Sequence, residues 1–151
     1  MSAGTIKLDS MLCFAIYATG HAFTRFYKPR LEALDLTYPQ YLVLIVLWER
    51  DDITVNALGS RLFLDSGTIT PLIKRLEARG LVTRRRDEDD ERQVRIRLTP
   101  EGRALQDKAL AVPLTIAKGT GLTREDVDRL RAELLTLRDR LDGQGEGPKP
   151  G

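Results

Sequence analysis

The chain is poor in the side chains that build metal and disulfide sites. Its 151 residues include one cysteine, Cys13, and one histidine, His21. A single cysteine excludes an intrachain disulfide and a cysteine-cluster zinc site, and one histidine adds no set of metal ligands. We therefore predict a protein without a metal or another cofactor, and metal-dependent catalysis is not expected.

Long apolar runs and an excess of one charge are also absent. The longest strongly apolar stretch, residues 41–48, is far shorter than the roughly 20 residues of a membrane-spanning helix. The apolar residues 11–18 lack the basic flank and cleavage site of a secretion signal, so a cytoplasmic protein is predicted. Lysine and arginine number 24 against 22 acidic residues, which gives a net charge of +2. A nucleic-acid signal must therefore come from where the charges lie.

Two helices are predicted in the first third of the chain. Apolar residues recur at helical spacing over residues 8–27, which indicates a long first helix that Pro29 ends or kinks. Thr37 and Pro39 mark the start of a second helix that runs to about Arg50. Because this segment is apolar on nearly every face, we expect it to be the central buried helix.

A pair of helices and a hairpin are predicted next. Thr54 can cap a short helix, and Asp65 or Ser66 can cap the following one, whose apolar residues recur at i, i+3, i+4 and i+7. Residues 81–86 and 93–98 then bracket an acidic loop. Alternation of apolar and basic residues in the second segment is typical of a strand, so the two segments predict a hairpin.

Two further helices are predicted in the last third. Thr99 and Pro100 open a helix that Pro113 kinks or ends near residue 117. After a glycine-containing loop, a helix-start signature precedes apolar residues that alternate in steps of three and four. These residues are Val127, Leu130, Leu134, Leu137 and Leu141. Such a seam is expected to pack on a partner helix.

The order helix, tight turn, helix, hairpin is that of a winged helix-turn-helix, whose second helix enters the major groove of DNA. If the apolar stripe of that helix faces the core, its opposite face offers hydroxyl and cationic groups to phosphates and base edges. The predicted DNA-binding residues of this helix are Ser66, Thr68, Thr70, Pro71, Lys74 and Arg75. The hairpin adds Arg84, Arg85, Arg86, Arg92 and Arg95. We expect Asp90 or a neighbouring acid to hold Arg92 and present it at the wing.

The domain organisation follows from these elements. Composition is typical of a folded globular protein, with 42% hydrophobic and 30% charged residues. We predict a mainly helical single domain over residues 1–142, with dimerisation helices at about 6–34 and 100–142 around a winged helix-turn-helix at about 37–99. Residues 143–151 hold four glycines and two prolines and are expected to be a disordered tail.

Three sequence blocks resemble a known family of regulators. They are LCFAxY at residues 12–17, LTYPQYL at 36–42 and LDSGTxTPL at 64–72. Together with the helix-turn-helix and the wing sequence DEDDER at 87–92, they resemble the MarR family of dimeric repressors and, within it, the organic hydroperoxide sensing repressors called OhrR. The resemblance spans nearly the whole chain. It implies a repressor that releases a pseudo-palindromic double-stranded DNA operator when an organic hydroperoxide oxidises a reactive cysteine.

By this resemblance, Cys13 is the reactive cysteine, and Tyr27 and Tyr38 hydrogen-bond to it from the other subunit. Cys13 and Tyr27 are 14 residues apart, on the order of 21 Å along one helix, so only a partner chain can bring them together. Tyr17, at i+4, is a neighbour of the thiol on its own helix. A helix that starts near residue 8 would place Cys13 beyond the strongest effect of the helix dipole, which leaves the tyrosine hydroxyls to favour the thiolate.

The implied chemistry is oxidation of a thiolate to a sulfenic acid. Because no second cysteine is present, the chain resembles the one-cysteine branch, in which a small thiol forms a mixed disulfide or the sulfur oxidises further. The expected partners are therefore DNA, a second copy of the chain, an organic hydroperoxide and a low-molecular-weight thiol. The protein is not expected to be an enzyme.

Other interpretations of the same residues stay open. Residues 84–86 can be a solvated strand face paired with the acidic loop. Cys13 can be an inert buried residue, and the aromatic residues around it can bind a small aromatic ligand reversibly. A thiol peroxidase that uses Cys13 is a third interpretation, although the helix pair and the wing have no use in such an enzyme.

Overall fold

A computed structural model describes residues 4–144 of the chain. Its helices are α1 (Leu12–Glu32), α2 (Tyr38–Glu49), α3 (Val55–Leu62), α4 (Ser66–Ala78), α5 (Pro100–Ala109), α6 (Ala111–Thr120) and α7 (Arg124–Gln144). Its strands are β1 (Ile53–Thr54), β2 (Val82–Arg86) and β3 (Val94–Leu98), in the antiparallel order β1-β3-β2. None of the described helices is long and apolar enough to cross a membrane.

The first helix begins later than predicted. Residues Leu8–Ser10 form a short 3-10 turn, and α1 starts only after Met11, whose backbone is extended. The helix then continues through Pro29 to Glu32, so of the two outcomes predicted for Pro29 it does not end the helix. The later start makes Cys13 the second residue of α1.

Helix α2 is the buried centre of the domain, as predicted. The Thr37 hydroxyl accepts a hydrogen bond from the Gln40 amide at 3.3 Å, and the Gln40 side chain accepts one from the Thr37 amide at 3.1 Å. This capping box fixes the start of the helix. Val43, Leu44 and Leu47 are fully buried, with α1, α3, α4 and α5 packed around them.

The helix pair is defined by side-chain caps that were visible in the sequence. The Thr54 hydroxyl accepts from the Ala57 amide at 3.1 Å at the start of α3. The Asp65 carboxylate accepts from the Thr68 amide at 2.8 Å at the start of α4, so Asp65 is the cap and not Ser66. Each cap satisfies a first-turn amide that has no partner within its helix.

The wing consists of the predicted hairpin and one strand that was not predicted. Strands β2 and β3 pair with Val82 opposite Leu98, and the two residues of β1 add to β3 with Ile53 opposite Ile96. A strand of two residues is too short to show alternation, so no sequence pattern could indicate it.

The C-terminal helices differ in detail from the prediction. Helix α5 ends at Ala109 and α6 begins at Ala111, so the interruption falls at Leu110, before Pro113. Proline fits the first turn of α6 because its missing N–H would have no partner there. Helix α7 includes Gly143 and Gln144, the first two residues of the predicted tail, whereas residues 145–151 lie outside the described part of the chain.

Gly102, in the first turn of α5, lies against the base of the wing. A Cβ atom there would come within 2.0 Å of the Leu81 carbonyl oxygen and 3.2 Å of a Leu98 methyl group. The Gly102 carbonyl also accepts a hydrogen bond from the Trp48 indole N–H of α2 at 2.9 Å. This turn of α5 therefore joins α2 to the wing and leaves no space for a side chain.

We expect Gly102→Ala to lower the free energy of unfolding by about 1 to 3 kcal/mol, because the added methyl group overlaps a backbone oxygen that cannot move alone. Helix propensity by itself would favour alanine. Gly143→Ala is the matched control, since its Cβ would meet nothing within 4 Å. Denaturation of the three proteins at one concentration measures the difference, and equal stabilities would contradict the close approach.

Candidate DNA interface and thiol site

Helix α4 presents the polar face that the sequence predicted. Ile69, Leu72, Ile73 and Leu76 are buried in the core on one side. The predicted residues Ser66, Thr68, Pro71, Lys74 and Arg75 are exposed on the other side. Thr70 is half-buried at the edge of this face. Hydroxyl and cationic groups thus form the outer surface of the second helix of the pair.

A groove of about 200 Å³ runs between this helix and the wing. Thr70 of α4 and the predicted wing residues Arg84 and Arg92 line it together. Asn56, in the first turn of α3, also lines the groove and was not singled out from the sequence. A first-turn asparagine carries no signal that distinguishes an interface residue from an ordinary exposed one.

Acidic groups hold several of the wing arginines. Arg92 is 91% exposed and donates from Nε to the Asp90 carboxylate at 3.1 Å, which confirms the expected pairing. Arg84 forms an ion pair with Glu77 of α4 at 3.0 Å. Arg86 donates to the carbonyl oxygen of Glu91 at 3.0 Å. Arg85 is exposed and, within residues 4–144, makes neither an ion pair nor a side-chain hydrogen bond, so its charge is the least compensated of the four.

Arg95 lies in a different setting from the predicted one. Its guanidinium pairs with Asp52 at 2.9 Å and with Asp87 at 2.9 Å, and it also donates to the Asp52 carbonyl oxygen at 2.7 Å. Its charge is therefore already matched within the protein. The alternating strand pattern placed Arg95 on a polar face correctly, but it could not show that an acid 43 residues away would bind it.

Two acids before β1, Asp51 and Asp52, form a clamp that was not predicted from the sequence. Asp52, at a φ of 58°, accepts from both Arg95 and Arg97, and these hydrogen bonds lower the pKa of its carboxyl group to about 2. Asp51 accepts from the Leu98 amide at 2.9 Å and pairs with Arg103 of α5 at 2.7 Å. The clamp thus connects β1, β3 and α5.

Cys13 lies at the exposed N-terminal end of α1. No side chain caps this end, so the first-turn amides point towards the region of the thiol without a protein acceptor. The positive end of the helix dipole lies in this same first turn, of which Cys13 is the second residue. The expectation that Cys13 is beyond the reach of the dipole is therefore wrong, because it assumed a helix that starts near residue 8.

Tyr17 and His21 continue the same face of α1. Tyr17 follows Cys13 by four residues and is exposed, as the sequence indicated. Its ring meets the His21 ring edge to face, with 4.4 Å between the centroids. The thiol therefore has an aromatic neighbour on its own helix and open solvent on the outer side.

Tyr27 and Tyr38 come together, with 4.7 Å between their ring centroids. Burial, reinforced by Tyr38 and Tyr41, raises the pKa of Tyr27 to about 12, and burial also raises the pKa values of Tyr38 and Tyr41. All three phenols are thus hydrogen-bond donors at neutral pH. Tyr41 was not among the predicted site residues, although it lies at i+3 from Tyr38, the spacing of one helix face.

The structure separates the thiol from this tyrosine pair within one chain. Cys13 and Tyr27 both belong to the continuous helix α1, 14 residues apart, a distance of about 21 Å. Neither hydroxyl of the pair is engaged by the hydrogen bonds of this region, which are the Thr37 capping box and the bond from Arg30 to the Phe26 carbonyl. The pair is therefore free to donate to an acceptor outside the chain.

Apolar surface is exposed on α1, α6 and α7. The exposed side chains include Leu12, Ile16, Phe23, Leu110, Leu114, Val127, Leu130, Leu134 and Leu141. Phe23 and Phe26 of α1, with Ile116 and Leu130, border a cleft of about 340 Å³. Surface of this extent, on the segments predicted to dimerise, is typical of an interface.

Comparisons with known proteins agree with this geometry. A family model described as transcriptional regulator SarA/Rot matches residues 25–109, which include the tyrosine pair, the helix pair and the wing. The organic hydroperoxide resistance transcriptional regulator of Bacillus subtilis is 47% identical over 136 residues, or 90% of this chain and 92% of that protein. The HTH-type transcriptional regulator TtmR of Methylorubrum extorquens is 55% identical over 135 residues, or 89% of this chain and 69% of that protein.

A solved structure shares the whole fold. The structure of reduced AbfR bound to DNA superposes with a TM-score of 0.78 at 36% identity, covering 91% of this chain and 94% of that one. AbfR is a protein of Staphylococcus epidermidis. The agreement confirms the predicted winged-helix architecture.

The contribution of the acidic clamp to stability should depend on pH. The pKa of Asp52 is lower in the folded protein than its ordinary value of 3.8, so its contribution to stability is complete above pH 4 and is lost as pH falls towards 2. We expect Asp52→Asn to lower the melting temperature by about 2 to 4 °C at pH 6 and by much less at pH 2.5. Glu88→Gln is the control, and a difference between Asp52→Asn and wild type that persists at pH 2.5 would contradict the assignment.

Proposed function

We propose that this chain, which belongs to the family of MarR-type winged-helix transcriptional regulators, is a homodimeric repressor that leaves DNA when an organic hydroperoxide oxidises Cys13. The family includes the SarA/Rot proteins and the organic hydroperoxide resistance regulator of Bacillus subtilis. The observation that carries the proposal is the position of Cys13. An exposed thiol at a helix N-terminus lies on the same helix as a tyrosine donor that it can reach only in a dimer.

DNA binding is assigned to α4 and the wing. The exposed groups of α4 suit the major groove, where lysine and hydroxyl groups contact phosphates and arginine contacts guanine. Arg92, Arg85 and Arg86 would contact the flanking backbone from the wing. Arg95 belongs to the clamp that orients the wing and acts on DNA binding indirectly, because both of its ion pairs are internal.

The dimer is assigned to α1, α6 and α7, which correspond to the predicted dimerisation segments. The seam on α7 has no buried residue in a single chain, so a partner must cover it. An antiparallel crossing of the two first helices would place each Cys13 beside the partner's Tyr27. Two recognition helices at a fixed spacing would then read the two halves of a pseudo-palindromic operator.

The chemistry is a two-electron oxidation of one sulfur. The Cys13 thiolate attacks the outer oxygen of the hydroperoxide, the O–O bond breaks, and the products are a sulfenic acid and an alkoxide that takes a proton to become an alcohol. The tyrosine hydroxyls can donate to the thiolate before the reaction. Oxidation removes this charged acceptor, which weakens the hydrogen bonds that connect the two subunits.

The similar proteins are named as transcriptional regulators, and the proposed reaction is stoichiometric. One peroxide converts one Cys13, and the result is a change in DNA affinity and not turnover. A DNA target supports a cytoplasmic location for the protein.

We expect wild type to lose DNA affinity by at least about tenfold after a stoichiometric organic hydroperoxide and a small thiol are added. Cys13→Ser should bind the same duplex with unchanged affinity and show no response, because serine cannot form a sulfenic acid. Fluorescence anisotropy on a duplex from the protein's own upstream region measures both, and dithiothreitol should restore wild-type binding. A serine variant that dissociates normally would overturn the proposal, and unresponsive binding in both proteins would favour a reversibly bound ligand.

Mixed dimers test whether the tyrosines act between subunits. In a dimer of a Cys13→Ser chain and a Tyr27→Phe/Tyr38→Phe chain, the one remaining thiol faces intact tyrosines across the interface. We expect its sulfenic acid to form at the wild-type rate per thiol. Dimers of a wild-type chain with a Cys13→Ser/Tyr27→Phe/Tyr38→Phe chain should react about tenfold more slowly. The opposite order of the two rates would show that the tyrosines act within one chain.

A further inference from the structure

A cleft of mixed charge opens beside the tyrosine pair. It lies between the second half of α1 and the first turn of α2, and its lining includes Thr24, Lys28 and Glu32 of α1, Tyr38 and Pro39 of α2, and Arg79. Its volume of about 480 Å³ is within the usual range of small-molecule sites. The proposed function gives this cleft no role.

Only two of the charges in the cleft are uncommitted. Arg79 pairs with Asp35 at 3.5 Å and donates to the Leu34 carbonyl oxygen at 3.4 Å. Lys28 and Glu32 are four residues apart on α1, yet neither forms an ion pair within residues 4–144. The order lysine before glutamate is the weaker one for such a pair on a helix, because both charges oppose the helix dipole. The cleft therefore offers one cation and one anion about a helical turn apart.

The proposed reaction needs a reactant at this place. If the partner's Cys13 lies against Tyr27 and Tyr38, its sulfenic acid forms at the mouth of the cleft. The chain has no second cysteine, so the thiol that forms a mixed disulfide with that sulfur comes from solution. The rest of the thiol molecule then lies where Lys28 and Glu32 are.

We propose that this cleft binds the amino-acid end of a low-molecular-weight thiol, with its carboxylate on Lys28 and its ammonium group on Glu32, and so selects cysteine-type zwitterionic thiols as the reactant that completes the switch. The proposal rests on the proposed function, because it takes the position of the partner's Cys13 from it. Two opposite charges on one helix face distinguish a zwitterion from thiols that carry one charge or none.

The reaction that follows is balanced without a further oxidant. The thiolate of the small thiol attacks the sulfur of the sulfenic acid, an S–S bond forms and the S–O bond breaks. The departing hydroxide takes up the proton of the thiol and leaves as water. The product is a mixed disulfide between Cys13 of one subunit and the small thiol, which stays in the cleft of the other subunit.

Four thiols that differ in their charged groups distinguish the effect of Lys28 from that of Glu32. L-Cysteine carries both groups, cysteamine only the ammonium group, 3-mercaptopropionate only the carboxylate, and 2-mercaptoethanol neither. Wild type, Lys28→Gln and Glu32→Gln are oxidised with cumene hydroperoxide, and the mixed disulfide is followed by intact mass over time. Lys108→Gln, a lysine on α5 outside the cleft, is the control variant.

A crossed pattern of rates is expected. Lys28→Gln should slow mixed-disulfide formation with L-cysteine and 3-mercaptopropionate by about three- to tenfold and leave the rates with the other two thiols unchanged. Glu32→Gln should slow the reaction with L-cysteine and with cysteamine by a similar factor, whereas Lys108→Gln should change none of the four rates. A general defect in folding would slow all thiols together and could not produce this pattern. Equal rate ratios for all four thiols would overturn the proposal.

The symmetrical disulfides of the same four thiols test the cleft without peroxide. Exchange of reduced Cys13 with cystine, cystamine, dithiodipropionate or hydroxyethyl disulfide yields the same adducts, and the same crossed pattern is expected. If peroxide gives no sulfenic acid at Cys13, trapped with dimedone, the proposed function fails whatever the exchange rates are. If the sulfenic acid forms and DNA is released but neither reaction shows the pattern, the thiol selectivity alone fails.

Discussion

The continuity of helix α1 is the constraint on which the proposed site depends. Residues Leu12–Glu32 form one helix, which keeps Cys13 and Tyr27 about 21 Å apart along its axis. A break between Cys13 and Tyr27 would have let the chain fold back and close the site within one subunit. Because the helix is unbroken, a single chain has an exposed thiol at one end and unused phenol donors near the other. The same helix carries exposed apolar residues between them, so the surface that must be covered and the site that must be completed are one surface.

The tyrosine pair is also connected to the DNA-binding part of the domain through helix α2. Tyr38 begins α2, the buried centre of the domain, and Trp48 near the end of α2 donates to the Gly102 carbonyl at the base of the wing. The backbones of Gly102 and Leu81 approach so closely that a Cβ on Gly102 would overlap the Leu81 carbonyl oxygen. A displacement of α2 therefore moves the start of α5 and the wing with it, since packed interiors transmit strain. The acidic clamp of Asp52 adds stiffness on the other side of the wing.

Much of the fold could be predicted because its signals are local. Thr37, Thr54 and Asp65 cap their helices by hydrogen bonds to residues three positions ahead, and a reader of the sequence sees both partners. The features that were missed depend on distant partners or on missing signals. Asp52 binds arginines more than 40 residues away. The late start of α1 had no capping side chain to mark it, and this one error reversed the assessment of the helix dipole at Cys13.

The single cysteine explains why charge at the cleft matters. A regulator with two cysteines has its second reactant built into the chain, so its response depends on peroxide alone. With one cysteine, the rate of the second step depends on which small thiol is present and how well it binds. The sulfenic acid can also oxidise further and irreversibly while it waits. A cleft that concentrates one class of thiol beside the sulfur shortens that wait. The arrangement of Lys28 and Glu32 would then protect reversibility as well as selectivity, because the faster mixed disulfide competes with a modification that no thiol can undo.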